Sequence, residues 1–262
     1  MKKYIQSGIR KDTSNPSFIV DYRYNYPEDI IHIEKPQLYQ SMYHSKVYWF
    51  GYRFNDDVSG KVRTEFIRYI KGIGDITMPQ NELVRLIELP LHELDNQINL
   101  MDIDAFVCPK SNRSRLVQTM IETIRDYTSH KTNRTTFELV KSAPIDIQFD
   151  WASFNEDTSD LPEYQYKQMS GYIENTLMPK IHNLEYFSLA NEVKPKYRPY
   201  IMNYLGFPNI GELERFEKLK GKNILIVDDI QTSGSTLNEI LRILLEINKS
   251  CNIYIYTLIG KE

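Results

Sequence analysis

The chain has 262 residues with 32 Lys and Arg against 35 Asp and Glu, a formal net charge of −3, so its overall balance gives no pull toward nucleic acid or an anionic membrane surface. That length suits one large domain or two small ones with a sizeable buried core. No apolar run approaches the roughly 18 residues of a spanning helix and residues 1–8 lack the apolar core of a secretory leader, so a cytoplasmic protein without membrane or nucleic-acid partners is expected.

In chain order, the first legible strand is residues 47–54, Val-Tyr-Trp-Phe-Gly-Tyr-Arg-Phe, followed by a helix with Val62, Phe66, Ile67 and Ile70 on one face. Residues 1–95 read as a tyrosine-rich α+β segment of unknown role that announces no chemistry. From residue 96 to residue 262 the pattern becomes α/β. Residues 102–108 form a strand and residues 109–114 a polar loop. A helix from Arg115 to Tyr127 then carries Leu116, Met120, Ile121 and Ile124 at helical spacing, and a second strand covers residues 137–140. The stretch 150–211 is punctuated by Pro162, Pro179, Pro195, Pro199 and Pro208 and reads as a helical insertion, with a helix over about residues 165–177.

Ile224-Leu225-Ile226-Val227 is apolar at every position, as a central parallel strand covered on both faces requires, and it ends in Asp228-Asp229. Leu237, Ile240, Leu241, Leu244 and Leu245 mark a helix, and residues 253–258 a last strand. Two strands joined by one helix make a right-handed crossover. The loop after the first of them then lies at the carboxyl edge of the sheet, where open α/β sheets bind ligands. Cys108 and Cys251 flank strand-like runs and read as small buried thiols. The five histidines show no paired ligand spacing.

Residues 223–236, Asn-Ile-Leu-Ile-Val-Asp-Asp-Ile-Gln-Thr-Ser-Gly-Ser-Thr, carry the chemistry. Gly234 lets the backbone approach a ligand closely, so that N–H groups of Thr232, Ser233, Gly234, Ser235 and Thr236 can face a phosphate. The surrounding hydroxyls add donors, and the helix start adds its positive dipole end. Asp228 and Asp229 are acceptors that suit a ribose diol and a Mg²⁺ ion held through water. A nucleoside-triphosphate P-loop is excluded, because it needs a Lys before its last Ser/Thr and four residues between its glycines. A response-regulator receiver needs more than the 33 residues that follow Asp229. Simple N-capping explains neither two adjacent acids at the end of a buried strand nor four hydroxyls around one glycine.

The segment resembles the 5-phosphoribosyl-1-pyrophosphate (PRPP) motif of type I phosphoribosyltransferases over 14 contiguous residues, and its wording is closest to that of the competence-associated homologues. The resemblance implies a parallel sheet flanked by helices. It assigns Asp228 and Asp229 to the ribose hydroxyls and to Mg²⁺, and Thr232, Ser233, Gly234, Ser235 and Thr236 to the 5′-phosphate. The family's pyrophosphate loop falls on Pro109-Lys110-Ser111-Asn112-Arg113-Ser114-Arg115. There Lys110 and Ser111 would contact substrate, and Arg113 and Arg115 would neutralise charge that grows on the leaving group. The same run also reads as a solvated basic turn. Lys194, Lys196 and Arg198 are candidates for the loop that closes over PRPP. Three departures stand out. Thr232 occupies the position where purine-salvage members carry an acidic general base, the usual pyrophosphate-loop glycine is missing, and no C-terminal hood follows Leu258. The expectation is Mg²⁺-dependent binding of PRPP or a nucleoside monophosphate, with phosphoribosyl transfer to an unidentified acceptor and release of pyrophosphate. The alternative is a non-enzymatic sensor of PRPP or a nucleotide that signals to a protein partner. A homodimer is compatible with either.

Overall fold

The computed structural model describes residues 7–11, 18–21, 31–33, 39–43, 46–54, 58–75, 77–112, 114–128, 134–230 and 234–260. Strands β1 (Ser7–Lys11), β2 (Phe18–Asp21) and β3 (Ile31–Ile33) form a small antiparallel sheet in the order β2-β1-β3. Next come β4 (Tyr39–Tyr43), β5 (Lys46–Arg53), α1 (Gly60–Ile70), α2 (Gln80–Glu88), α3 (Leu91–Ile98), β6 (Ala105–Pro109), α4 (Leu116–Tyr127) and β7 (Thr135–Lys141). The stretch read as an insertion holds β8 (Gln148–Phe149), α5 (Trp151–Asp157), α6 (Glu163–Tyr172), α7 (Met178–His182), α8 (Leu189–Glu192), β9 (Ile201–Met202), β10 (Leu205–Gly206) and the start of α9 (Ile210–Glu217). The chain closes with β11 (Asn223–Ile230), α10 (Ser235–Ile247) and β12 (Asn252–Gly260).

These elements gather into two compact units. One comprises Met1–Phe137, Lys220–Thr232 and Ser250–Glu262, the other Glu138–Leu219 and Ser233–Lys249. The first unit contains a mixed, mostly parallel sheet in the order β7-β6-β11-β12-β5-β4, flanked by helices. Strands β6, β11, β12 and β5 are parallel neighbours, and β4 closes the edge antiparallel to β5. The α/β class expected from the alternating pattern is therefore the class observed. The apolar run of β11 pairs on one side with Ala105, Phe106 and Val107 and on the other with Ile253 to Tyr256. Both of its backbone edges are thus satisfied within the sheet. On one face, Phe66 and Ile70 of α1, Leu86 of α2, Leu94 of α3 and Met120 and Ile124 of α4 pack with Phe106, Leu225, Val227, Tyr256 and Leu258. Each such fully buried side chain contributes about 1.5–3 kcal/mol.

The division into units cuts across the border expected at residue 95, because β5 pairs with β12 from Ile255↔Tyr48 to Gly260↔Arg53. Residues of the N-terminal segment thereby occupy what would otherwise be an open edge of the parallel sheet. In the second unit the latter part of β7 pairs antiparallel with β10, Val140↔Gly206 and Lys141↔Leu205, and β8 pairs with β9. The helix expected over residues 165–177 begins at Glu163 and passes at Ile173 into a π turn, Ile173–Leu177. Cys108 and Cys251 are both buried, and neither is joined in a disulfide.

Candidate functional site

Strand β11 continues through Ile230, so Asp228 and Asp229 lie within the strand rather than just beyond it, with exposures of only 7% and 8%. Successive strand residues point to opposite faces of a sheet. The surroundings of the two acids differ accordingly. Asp228 is level with Thr257 of β12. The Thr257 hydroxyl donates to the Ile259 carbonyl (3.1 Å), so the Tyr48 hydroxyl is the donor in its 2.5 Å bond to Thr257 Oγ1. Asp229 instead meets a cation, Lys71 Nζ, at 2.7 Å from Oδ2.

Local chain geometry places that lysine. Helix α1 ends at Ile70, and Gly72 then takes φ 68°, a left-handed conformation that glycine adopts without Cβ strain. The Ile73 N–H returns to the Arg68 carbonyl (2.9 Å) and the Gly72 N–H to the Tyr69 carbonyl (3.3 Å). This crossed pair of bonds closes a helix C-terminus as a Schellman motif. Lys71, the residue before the turn, is thereby held where its side chain reaches the acid pair.

Burial, followed by the neighbouring charge of Asp229, pushes the Asp228 carboxyl up to about 8. The Asp229 N–H donates to Asp228 Oδ1 at 2.9 Å. This bond and the Lys71 ammonium act in the opposite direction without overcoming the desolvation. Asp228 therefore keeps its proton at neutral pH, and an arriving cation would displace it. Tyr48 is itself pushed upward by burial and stays a donor.

Beyond β11, Thr232 and Ser233 lie outside the described residues. Gly234 has φ 73° and serves as the N-cap of α10, where it offers no capping side chain. Its carbonyl accepts the first helical bond, from the Asn238 N–H (2.9 Å). Ser235 is buried and Thr236 half-buried. The Tyr204 hydroxyl donates to the Ser235 carbonyl at 2.7 Å, which anchors the opening turn of the helix within the second unit.

The basic run follows β6. Ile226 pairs with Val107, so extending the parallel register puts Pro109 level with Asp228 and Lys110 level with Asp229. Lys110 is exposed at the edge that carries the acids. Ser111 Oγ accepts from the Ser114 N–H (3.1 Å) and Ser114 Oγ from the Leu116 N–H (3.2 Å), so these hydroxyls fix the entry to α4. Arg115 is exposed at the N-cap position of that helix, and Arg113 lies outside the described residues. In the second unit, the Lys194 ammonium stands over the Tyr172 ring (5.0 Å to the centroid) and that of Lys196 over Tyr197 (4.7 Å). Arg198 donates to the carbonyls of Val193 (2.9 Å) and Ala190 (2.8 Å). All three cations are engaged locally.

Among the described residues no three His, Cys, Asp or Glu side chains form a group able to share a metal. Asp228 and Asp229 nonetheless fit Mg²⁺, which favours one or two carboxylates with water and substrate phosphates completing its shell. A buried carboxyl pair with a single lysine as counter-charge is a donor set that a divalent ion would satisfy better.

Residues 187–262 match the family model of the phosphoribosyl transferase domain, which bears out the resemblance to type I phosphoribosyltransferases. The narrower likeness to competence-associated homologues rests on the wording of the motif alone. No curated protein matches the chain. Solved structures similar to it include a hypoxanthine phosphoribosyltransferase from Staphylococcus aureus in two crystal forms. The orthorhombic form gives TM-score 0.34 and 13% identity over 71% of this chain and 68% of that one. The tetragonal form gives TM-score 0.35 and 12% identity over 71% and 67%. A hypothetical protein from Neisseria gonorrhoeae with bound ppGpp gives TM-score 0.33 and 14% identity over 67% and 66%.

Proposed function

We propose that this protein binds PRPP or a nucleoside 5′-monophosphate along Asp228–Thr236 and transfers the phosphoribosyl group to an acceptor with release of pyrophosphate. The observation that carries the reading is a buried acid pair at the carboxyl end of a central parallel strand, five residues before a glycine-capped helix start. In this reading the opening amides and hydroxyls of α10, with Thr232 and Ser233, hold the 5′-phosphate against the helix dipole. Asp229, its charge shared with Lys71, accepts from one ribose hydroxyl. Asp228, carrying a proton near neutrality, exchanges hydrogen bonds with the other. Lys110, with Arg113 and Arg115 further along the loop, faces the leaving group as its bond to the ribose C1 breaks, and the acceptor bonds to C1 and gives up its proton. Mg²⁺, when bound, neutralises pyrophosphate charge.

The test is pyrophosphate release from PRPP and Mg²⁺ over a broad panel of acceptors, with an Arg113→Ala/Arg115→Ala variant alongside. Loss of the cations should lower kcat more than PRPP affinity, since their contact strengthens in the transition state. Tight PRPP binding without release in either protein would replace transfer with sensing. No calorimetric signal with any ribose phosphate would remove the site itself.

A further inference from the structure

We propose that Arg125 and Arg134 form a second anion site, for a tetrahedral oxyanion such as a phosphate group, at the amino edge of the sheet in the first unit. Arg134, just ahead of β7, is only 4% exposed. Its Nη1 donates to Thr128 Oγ1 at 2.9 Å, whereas its Nε and Nη2 reach no acceptor. Arg125, in the last turn of α4, donates through Nη2 to the Arg134 carbonyl (2.8 Å) and to Thr136 Oγ1 (2.7 Å). Its Nε is likewise buried without a partner. Both guanidinium groups stand over one aromatic ring, 5.6 and 5.9 Å from the centroid of Phe106.

Two like charges on one ring, with three unanswered donors, is an arrangement that folding disfavours unless a counter-charge joins it. Burial, and then repulsion by Arg125, press the Arg134 guanidinium toward losing its charge, while Asp104 and Asp95 oppose them. Asp95 Oδ1 accepts from the Leu100 N–H (2.6 Å) and Asp104 Oδ2 from the Asn223 N–H (3.0 Å). A plainer role explains part of this, since Arg125 near a helix C-terminus complements the helix dipole. It does not explain why Arg134 is buried beside it with donors unmet. An oxyanion offers acceptors on several sides, enough for the three donors left unmet, and a negative charge beside both guanidinium groups. Phe106 pairs with Leu225, and from Leu225 to Asp229 the strand rises about 13 Å, so this site is separate from the acid pair.

Thermal unfolding in phosphate, sulfate or chloride at matched ionic strength tests the proposal. Wild type should gain on the order of 5 °C in Tm with saturating phosphate or sulfate relative to chloride. Gly234→Val, which disables the phosphate loop, should keep that gain and so separate this site from the one proposed above. Arg134→Met should lose the gain, because it removes the buried group whose unmet donors the oxyanion would satisfy. Arg125→Gln, at the half-buried partner, should weaken the apparent phosphate affinity at least tenfold and serves should Arg134→Met not fold. Ribose 5-phosphate in place of phosphate shows whether the oxyanion enters free or on a sugar. No gain in wild type, a gain surviving in either arginine variant, or one lost in Gly234→Val overturns the assignment.

Discussion

Asp228→Asn should stabilise the protein in the absence of metal, increasingly so as pH rises. The folded carboxyl titrates at about 8 against an ordinary 3.8. Between those values the folded state holds a proton that the unfolded chain has released. Its stabilising share is therefore complete below about pH 4 and is lost as pH rises through 8, beyond which it stays flat. At about 1.4 kcal/mol for each tenfold in proton affinity, full ionisation costs on the order of 5 kcal/mol for this group, which is 7% exposed. Asparagine keeps the oxygen that accepts from the Asp229 N–H and never ionises. Chemical denaturation of both proteins from pH 4 to 9 reads the effect as the difference between them, since titrating groups remote from the acid pair are shared and cancel. The variant should draw ahead steadily up to pH 8 and then run parallel. Added Mg²⁺ should narrow the gap at high pH by supplying wild type with the charge it lacks. A constant difference across the range would refute the account of the buried proton.

Gly234→Val should abolish binding of PRPP and nucleoside monophosphates by calorimetry, because φ 73° is costly for a β-branched residue. Lys71→Met should tighten Mg²⁺ binding roughly tenfold or more, a resident charge a few ångströms away being worth about 1–4 kcal/mol near a protein surface, with Lys71→Arg restoring wild-type affinity; weaker binding in Lys71→Met would show that the lysine does not compete for Asp229. Hypoxanthine and guanine should fail as acceptors, because Thr232 offers no carboxylate to take or give the imidazole proton; turnover above about 1 per second in a base-release assay would contradict this.

The α/β core was legible because its signals are local and redundant. Four consecutive apolar residues before Asp228 admit few readings other than a doubly covered strand, and the face of α10 repeats at helical spacing. The same spacing in Leu83, Leu86, Ile87, Leu91, Leu94 and Ile98 marks α2 and α3, although Pro90 interrupts the run. In the structure Pro90 is the N-cap of α3, a position that needs no donor, so it separates two helices rather than ending a pattern. Strand β5 is legible in the sequence, but its place in the sheet is not. Periodicity reports which face of a strand is buried, and it says nothing about which distant strand will lie beside it.

The same limit explains the half of the acid site that motif reading missed. Asp228 and Asp229 declare themselves by sequence adjacency, whereas Lys71 reaches Asp229 only through the fold, 158 residues earlier in the chain (229 − 71). One local clue existed. Lys71-Gly72-Ile73-Gly74 follows a helical run directly, and a glycine immediately after the capping lysine signals a left-handed helix end that fixes where that lysine sits. What the clue could not supply was the partner. β11 runs on to Ile230, so the two acids are successive residues of one strand, and Asp229 pairs with Lys71 of the N-terminal segment while Asp228 accepts from the Asp229 N–H. Asp229 receives the Lys71 ammonium, whereas burial and the neighbouring Asp229 charge hold the Asp228 carboxyl well above the usual carboxylate range. A motif that names both acids in one breath therefore conceals the difference in their surroundings. The N-terminal segment, which announced no chemistry of its own, supplies the cation that makes them differ.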